Sequence, residues 1–251
     1  FKFSLYKFLL LNICLGLINF IQCSYFAKIN YLLVLSHIKR FCQMVDKSIW
    51  SYIGVSIAYF LYAQIPTLYV STYLPKEQAA LYFSAFTIAS VIGLLINAQI
   101  QKIMPDLINN SIESIKVILK KNLKIMLIIT ISVFLFMLLF GKFLLLALYG
   151  QNYYGNAYPI LLILMLGNIC VAEAAVYGAY ITASGNQKKK IPMQLEATFF
   201  TIIGLAIMHK LEIYGAALAF LFAAIYISYR YTTFTFKLLD KLTPKNKFID
   251  I

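Results

Sequence analysis

The chain has 251 residues, 62% of them hydrophobic and only 12% charged, whereas a soluble domain carries about a quarter charged residues. Several windows reach the roughly 20 apolar residues that cross a bilayer, and runs such as 125–140 lack the apolar–polar alternation of a membrane β-strand, so an all-α polytopic membrane protein is expected. The net charge of +13 comes mostly from lysines clustered between apolar runs, as topology signals are, which argues against a nucleic-acid partner.

Residues 1–22 carry Lys2 and Lys7 ahead of an apolar core, with no small-x-small cleavage site near Cys23. A chain that begins with Phe1 in this way is expected to be a truncation inside a larger membrane protein rather than to start with a signal peptide. The first span is predicted over 5–21. Residues 26–41 are apolar but dotted with Lys28, His37, Lys39 and Arg40, and fit either a short span or an amphipathic stretch at the interface. Span two, 49–72, contains Pro66, which predicts a kink because proline removes a helical hydrogen bond. Span three covers 79–100. A longer polar loop, 101–122, follows, with Lys102, Lys116, Lys120 and Lys121, and its SIESIKVILKK part reads as an amphipathic surface helix. Span four covers 123–148. An aromatic, Gly-rich turn, LYGQNYYGNAYP, leads into span five, 159–183. Ser184, Gly185, Asn186 and Gln187 make the next turn, ahead of Lys188, Lys189 and Lys190. Span six, 192–208, and span seven, 213–234, are joined by His209, Lys210, Leu211 and Glu212, and a basic tail with Lys237, Lys241, Lys245 and Lys247 closes the chain.

Orientation follows from lysine and arginine alone. With the 188–190 loop in the cytoplasm, alternation places the 101–122 stretch, the Lys39–Arg40 region and the C-terminal tail on the same side. The opposite side then receives the turn with Lys76, the lysine-free LYGQNYYGNAYP turn and the turn with Lys210.

Polar groups inside spans are costly unless they face protein or water. Glu173, Tyr177, Tyr180 and Ser184 share one face of span five; Ala175, Ala179 and Ala183 form a small-residue stripe suited to close helix packing. Thr87, Ser90, Asn97 and Gln101 share a face of span three, and Tyr52, Ser56, Tyr59 and Pro66 one of span two, with Gln64 off that stripe. Two arrangements fit. The stripes line a hydrated cavity in which Glu173 responds to protons or cations, or they form buried helix contacts in which Glu173 is a neutral acid held by a neighbour. Glu196 reads as one half of a local ion pair. Lys188, Lys189 and Lys190 serve as a topology determinant or as a trap for phosphate headgroups at the cytoplasmic face.

Cys14, Cys23, Cys42 and Cys170 have no CxxC spacing and no His partner, and read as small apolar fillers. GxxxxGK[ST], HExxH, GxSxG and GxGxxG are absent from the sequence, so nothing points to nucleophilic, metal or nucleotide-driven catalysis, and no cofactor is expected.

The segment LYGQNYYGNAYPILLILMLGNICVAEAAVYGAYITASGNQKKKIPMQLE and the later IYGAALAFLFAAIY resemble the C-terminal half of polysaccharide biosynthesis membrane proteins. These are the O-antigen flippases called Wzx, in the MOP superfamily that also holds the MATE exporters. Leu148, Tyr149, Gly150 and Tyr154, the ASGNQK turn at 183–188 and the IYGAA start at 213–217 carry the likeness, which is best over about 48–236. The resemblance implies a MATE/MOP-like bundle of twelve helices in two lobes around a central cavity, about seven of them in this chain. Residues 1–47 would then end the first lobe and form the interlobe linker, 48–236 the second six-helix lobe, and 237–251 a cytoplasmic tail. It implies a multi-pass protein of the bacterial inner membrane that moves an undecaprenyl-diphosphate-linked oligosaccharide to the periplasmic leaflet, beside polysaccharide polymerase and chain-length machinery, with H+ or Na+ as the coupling ions to consider. On that basis the cavity and coupling candidates are Glu173, Tyr177, Tyr180, Asn97, Ser90 and Tyr59, and the headgroup-capture candidates are Lys188, Lys189 and Lys190. A MATE-type drug–cation antiporter would need acids grouped in a cavity, where Glu173 is the one candidate. An inactive or scaffolding membrane fragment, and a membrane transferase using Asp106 and Glu113, complete the alternatives.

Overall fold

The computed structural model describes residues 47–242. The expected span at 5–21, the 26–41 stretch and the end of the tail lie outside the described residues. Among the described residues all regular structure is helical, in six α-helices: α1 (Lys47–Tyr73), α2 (Lys76–Asn109), α3 (Ile112–Tyr149), α4 (Gln151–Ala183), α5 (Lys190–Ile207) and α6 (Glu212–Leu242). Single 3-10 turns, Gln187–Lys189 and His209–Leu211, precede α5 and α6. Each of the six helices contains a stretch long and apolar enough to cross a membrane.

The helices run further than the hydropathy of the sequence predicts. The polar stretch 101–122 is not a loop: α2 continues through Pro105 to Asn109, and after Asn110 the SIESIKVILKK segment caps α3 with Ser111 and forms its opening turns from Ile112. With 34 residues in α2 and 38 in α3, they are about 51 and 57 Å long at ~1.5 Å per residue, well beyond a hydrocarbon core of ~30 Å. The turn expected over 148–159 shrinks to one residue. Gly150, at φ 87°, breaks the chain, and α4 begins at once at Gln151 with Pro159 inside it. Lys237 and Lys241 belong to α6 rather than to an irregular tail.

Helix α4 is the hub, packed against α2, α3 and α6, while α5 lies along α6. Small residues allow this crowding: Ala172, Ala216, Ala217, Ala223 and Ala224 are fully buried. The main core joins Ile88, Ile92, Leu145, Ile160, Leu161, Leu164 and Met165. A second cluster holds Tyr62, Tyr177, Ile181, Met193, Ala197, Ile227 and Tyr231. Gly215 permits the closest approach, since a Cβ there would stand 2.2 Å from the Met208 carbonyl oxygen. Helix α3 turns Leu135, Phe136, Leu139, Phe140 and Phe143 outward, an apolar face suited to lipid chains. Helix α1 runs unbroken through Pro66. Its backbone makes no broad approach to another described helix, and it is held by side chains such as Tyr62 and Val70.

Candidate functional site

The connection between α4 and α5 sets the site. Gly185, at φ 73°, closes a Schellman turn: the Asn186 N–H donates to the Ile181 carbonyl at 3.0 Å and the Gly185 N–H to that of Thr182 at 3.0 Å. The 3-10 turn then reverses the chain, and α5 starts at Lys190 alongside the end of α4. The Lys190 amine folds back onto α4, donating to the Thr182 hydroxyl at 3.3 Å and the Gly178 carbonyl at 3.5 Å. It also lies 5.6 Å from the centre of the Tyr231 ring on α6. Gly178 matters here, because a Cβ would stand 3.0 Å from that ring.

This amine borders a half-open cavity of about 310 Å³ lined by α1, α2, α4, α5 and α6. Its polar lining comes from Tyr59, Tyr62, Asn97, Asn168, Thr182, Gln194 and Tyr231. Among the described residues, Lys190 is the only charged one in the lining, which includes no carboxylate. Asn168 spans the gap between helices by donating to the Ala89 carbonyl at 3.2 Å. The Gln194 side-chain oxygen and the Tyr231 hydroxyl are buried, and among the described residues neither has a partner in hydrogen-bonding geometry. Buried polar atoms in this condition are uncommon. A neighbouring pocket of about 150 Å³ shares Tyr59, Tyr62 and Asn168 and adds Gln64 and Ser90.

The residues singled out from the sequence separate into groups. Tyr59 and Asn97 line the larger cavity, and Ser90 lines the smaller one with Tyr59. Glu173 lies outside both linings, at the α4–α6 contact, where its carboxylate accepts from the Ser228 hydroxyl at 2.8 Å. Tyr180 is in the main core, and Tyr177 packs against Phe236 at 6.0 Å, beside Lys116 and Lys120. Helical geometry explains the division. The cavity takes the face of α4 with Asn168, Val171, Ala175, Gly178 and Thr182, and Glu173, two residues from Ala175, points about 200° away. Ala175 and Ala179 of the small-residue stripe therefore border open space. Of the three lysines, only Lys190 enters the cavity, while Lys188 and Lys189 are exposed on the turn. Glu196 is paired with Arg230 at 2.9 Å and accepts from the Tyr226 hydroxyl at 2.6 Å.

Tyr62, Asn168, Gln194 and Tyr231 did not stand out in the sequence. The spacing of Lys190 and Gln194, four apart on one helix, is a signal for two of the lining groups. Asn168, an amide in mid-span, is another. The described residues contain no group of three or more His, Cys, Asp or Glu able to hold a metal ion. Comparison of the chain with protein-family models, with curated proteins and with solved structures finds no match to any of them.

Proposed function

We propose that the chain forms part of a flippase that carries a polyprenyl-diphosphate-linked oligosaccharide from the cytoplasmic to the periplasmic leaflet of a bacterial inner membrane. One observation supports this above others: a polar cavity within an apolar helical bundle, with one amine and no carboxylate in its lining among the described residues. Hydroxyl and amide groups from Tyr59, Asn97, Asn168 and Gln194 suit a sugar, whose hydroxyls need hydrogen-bond partners along the path. The amine suits the diphosphate. The outward apolar faces leave the polyprenyl chain in lipid, so that only the head crosses through protein. The lysine-rich ends of α3 and α6 and the 188–189 turn are then cytoplasmic.

A drug–cation antiporter is the competing transporter. It calls for a carboxylate in the cavity to neutralise its cargo, and Glu173 is engaged with Ser228 on another face. Deletion of the gene followed by leaflet-resolved detection of lipid-linked oligosaccharide tests the proposal. Accumulation on the cytoplasmic leaflet with loss of surface polysaccharide is expected. Unchanged polysaccharide with raised drug sensitivity would replace the flippase by the antiporter.

A further inference from the structure

Helices α3 and α6 make little backbone contact, and at their lysine-rich ends a crevice of about 420 Å³ opens between them, within the ~300–1,000 Å³ of small-molecule sites. Its floor is apolar: Leu119 and Leu239 are buried, and Tyr177 of α4 packs against Phe236 at 6.0 Å. Its rim carries Lys116 and Lys120, both exposed. They stand four residues apart, and Lys124 continues the row by another four, a spacing at which like charges repel. Asp240 borders the crevice too and makes an interaction of its own. Over 113–124 and 236–241 together, six lysines stand against two acids, Glu113 and Asp240, so this end of the bundle is strongly basic.

The length of α3 sets the height of the crevice. About 44 Å of helix separates Lys120 from Tyr149 at 1.5 Å per residue, which matches the ~40–45 Å thickness of a bilayer with its headgroups. With α3 upright and Tyr149 at one surface, Lys120 reaches the headgroups of the other, and Lys116 lies one turn beyond. Leu123 and Phe236 lie on the hydrocarbon side of the two amines. The crevice is therefore basic toward water and apolar toward the core, the same order in which a phospholipid carries its phosphate and its chains.

We propose that the crevice between α3 and α6 binds an anionic glycerophospholipid of the surrounding leaflet, with its phosphate against the Lys116 and Lys120 amines and the upper part of its chains against Leu123 and Phe236. Basic recesses between membrane-spanning helices recognise anionic headgroups in this way. A soluble phosphate compound would leave the apolar half unfilled, which favours the lipid. A lipid seated there also bridges two helices that otherwise touch little. The site is separate from the transport reading, since the crevice shares no lining residue with the cavity at Lys190.

The test is native mass spectrometry of the full chain released from detergent, titrated with phosphatidylglycerol and with phosphatidylcholine of the same acyl chains. Phosphatidylglycerol is expected to bind about tenfold more tightly or better. Lys116→Gln/Lys120→Gln should erase that preference, while Lys188→Gln/Lys189→Gln keeps it. Equal binding of the two lipids by the unaltered chain, or an equal loss of preference in both double variants, overturns the proposal. Displacement of phosphatidylglycerol by glycerol phosphate or by hexaglutamate at comparable concentration would give the crevice to a soluble anion or to an acidic peptide, and overturns it as well. Should the Lys116→Gln/Lys120→Gln variant not fold, Lys120→Gln alone decides: about a threefold loss of preference is expected, and an unchanged preference overturns the site.

Discussion

Two glycines show how single positions constrain this bundle, and a third supplies the control. A Cβ on Gly215 would collide with the backbone of Met208, which no rotamer change relieves. Gly215→Ala is expected to cost about 1–3 kcal/mol, the usual range for overpacking, read as a lower unfolding midpoint in detergent. Gly93 faces open space in the cavity wall, so Gly93→Ala should not lower that midpoint. The two substitutions are chemically identical, and equal effects would refute the packing described. At Gly185, φ is 73°, and an alanine there is strained by roughly 1 kcal/mol. Since this glycine closes the turn that returns Lys190 to α4, Gly185→Ala should also lower the unfolding midpoint in detergent. Of the residues that matter at this level, Glu173 was visible as a lone mid-span acid and Lys190 as the last of three lysines. Their roles were not, because which way a helix faces depends on neighbours that a single stretch of sequence does not name. With Glu173 engaged by Ser228 and outside the cavity, Glu173→Gln should leave oligosaccharide export unchanged in a complementation assay, while Tyr59→Ala/Asn97→Leu lowers it.

Among the elements, α1 and α4 are opposites. Helix α4 is wrapped by three others, whereas α1 stands across the two cavities and is held by a few side chains. Segments with few packed neighbours open more easily. Amide hydrogen exchange is therefore expected to be fastest in α1 and slowest in α4 among the six helices, and α1 exchanging as slowly as α4 would contradict this arrangement. The existence of six long apolar helices between 47 and 242 was legible from apolar runs alone. Their ends were not. The Asn, Gly and Tyr residues at 152–158 are poor helix formers or turn residues by preference, yet they are helical because tertiary packing decides: Ala157 is buried, and Tyr158 donates to the Leu138 carbonyl at 2.7 Å while Lys142 covers its ring at 5.1 Å. The polar stretch 101–122 misled for a related reason. Lys116, Lys120 and Lys121 are exposed on one side of a helix whose other side buries Ile115 and Leu119.

For the molecule as a whole, the distribution of lysines is the argument for the proposed orientation. Lysines gather where α2, α4 and α6 end and where α1, α3 and α5 begin, and the α3–α4 junction has none nearer than Lys142. In a variant with its four native cysteines replaced, a cysteine at Lys188 or Lys116 should react with an impermeant maleimide only from the cytoplasmic side, and one at Gln151 only from outside; the reverse pattern would invert the topology. The connection at Gly150 adds a constraint of its own. One residue separates 38-residue α3 from 33-residue α4, so the folded pair is a hairpin with Gly150 as its apex. In a bilayer the two helices are expected to cross as one unit, and lengthening this connection should loosen both together.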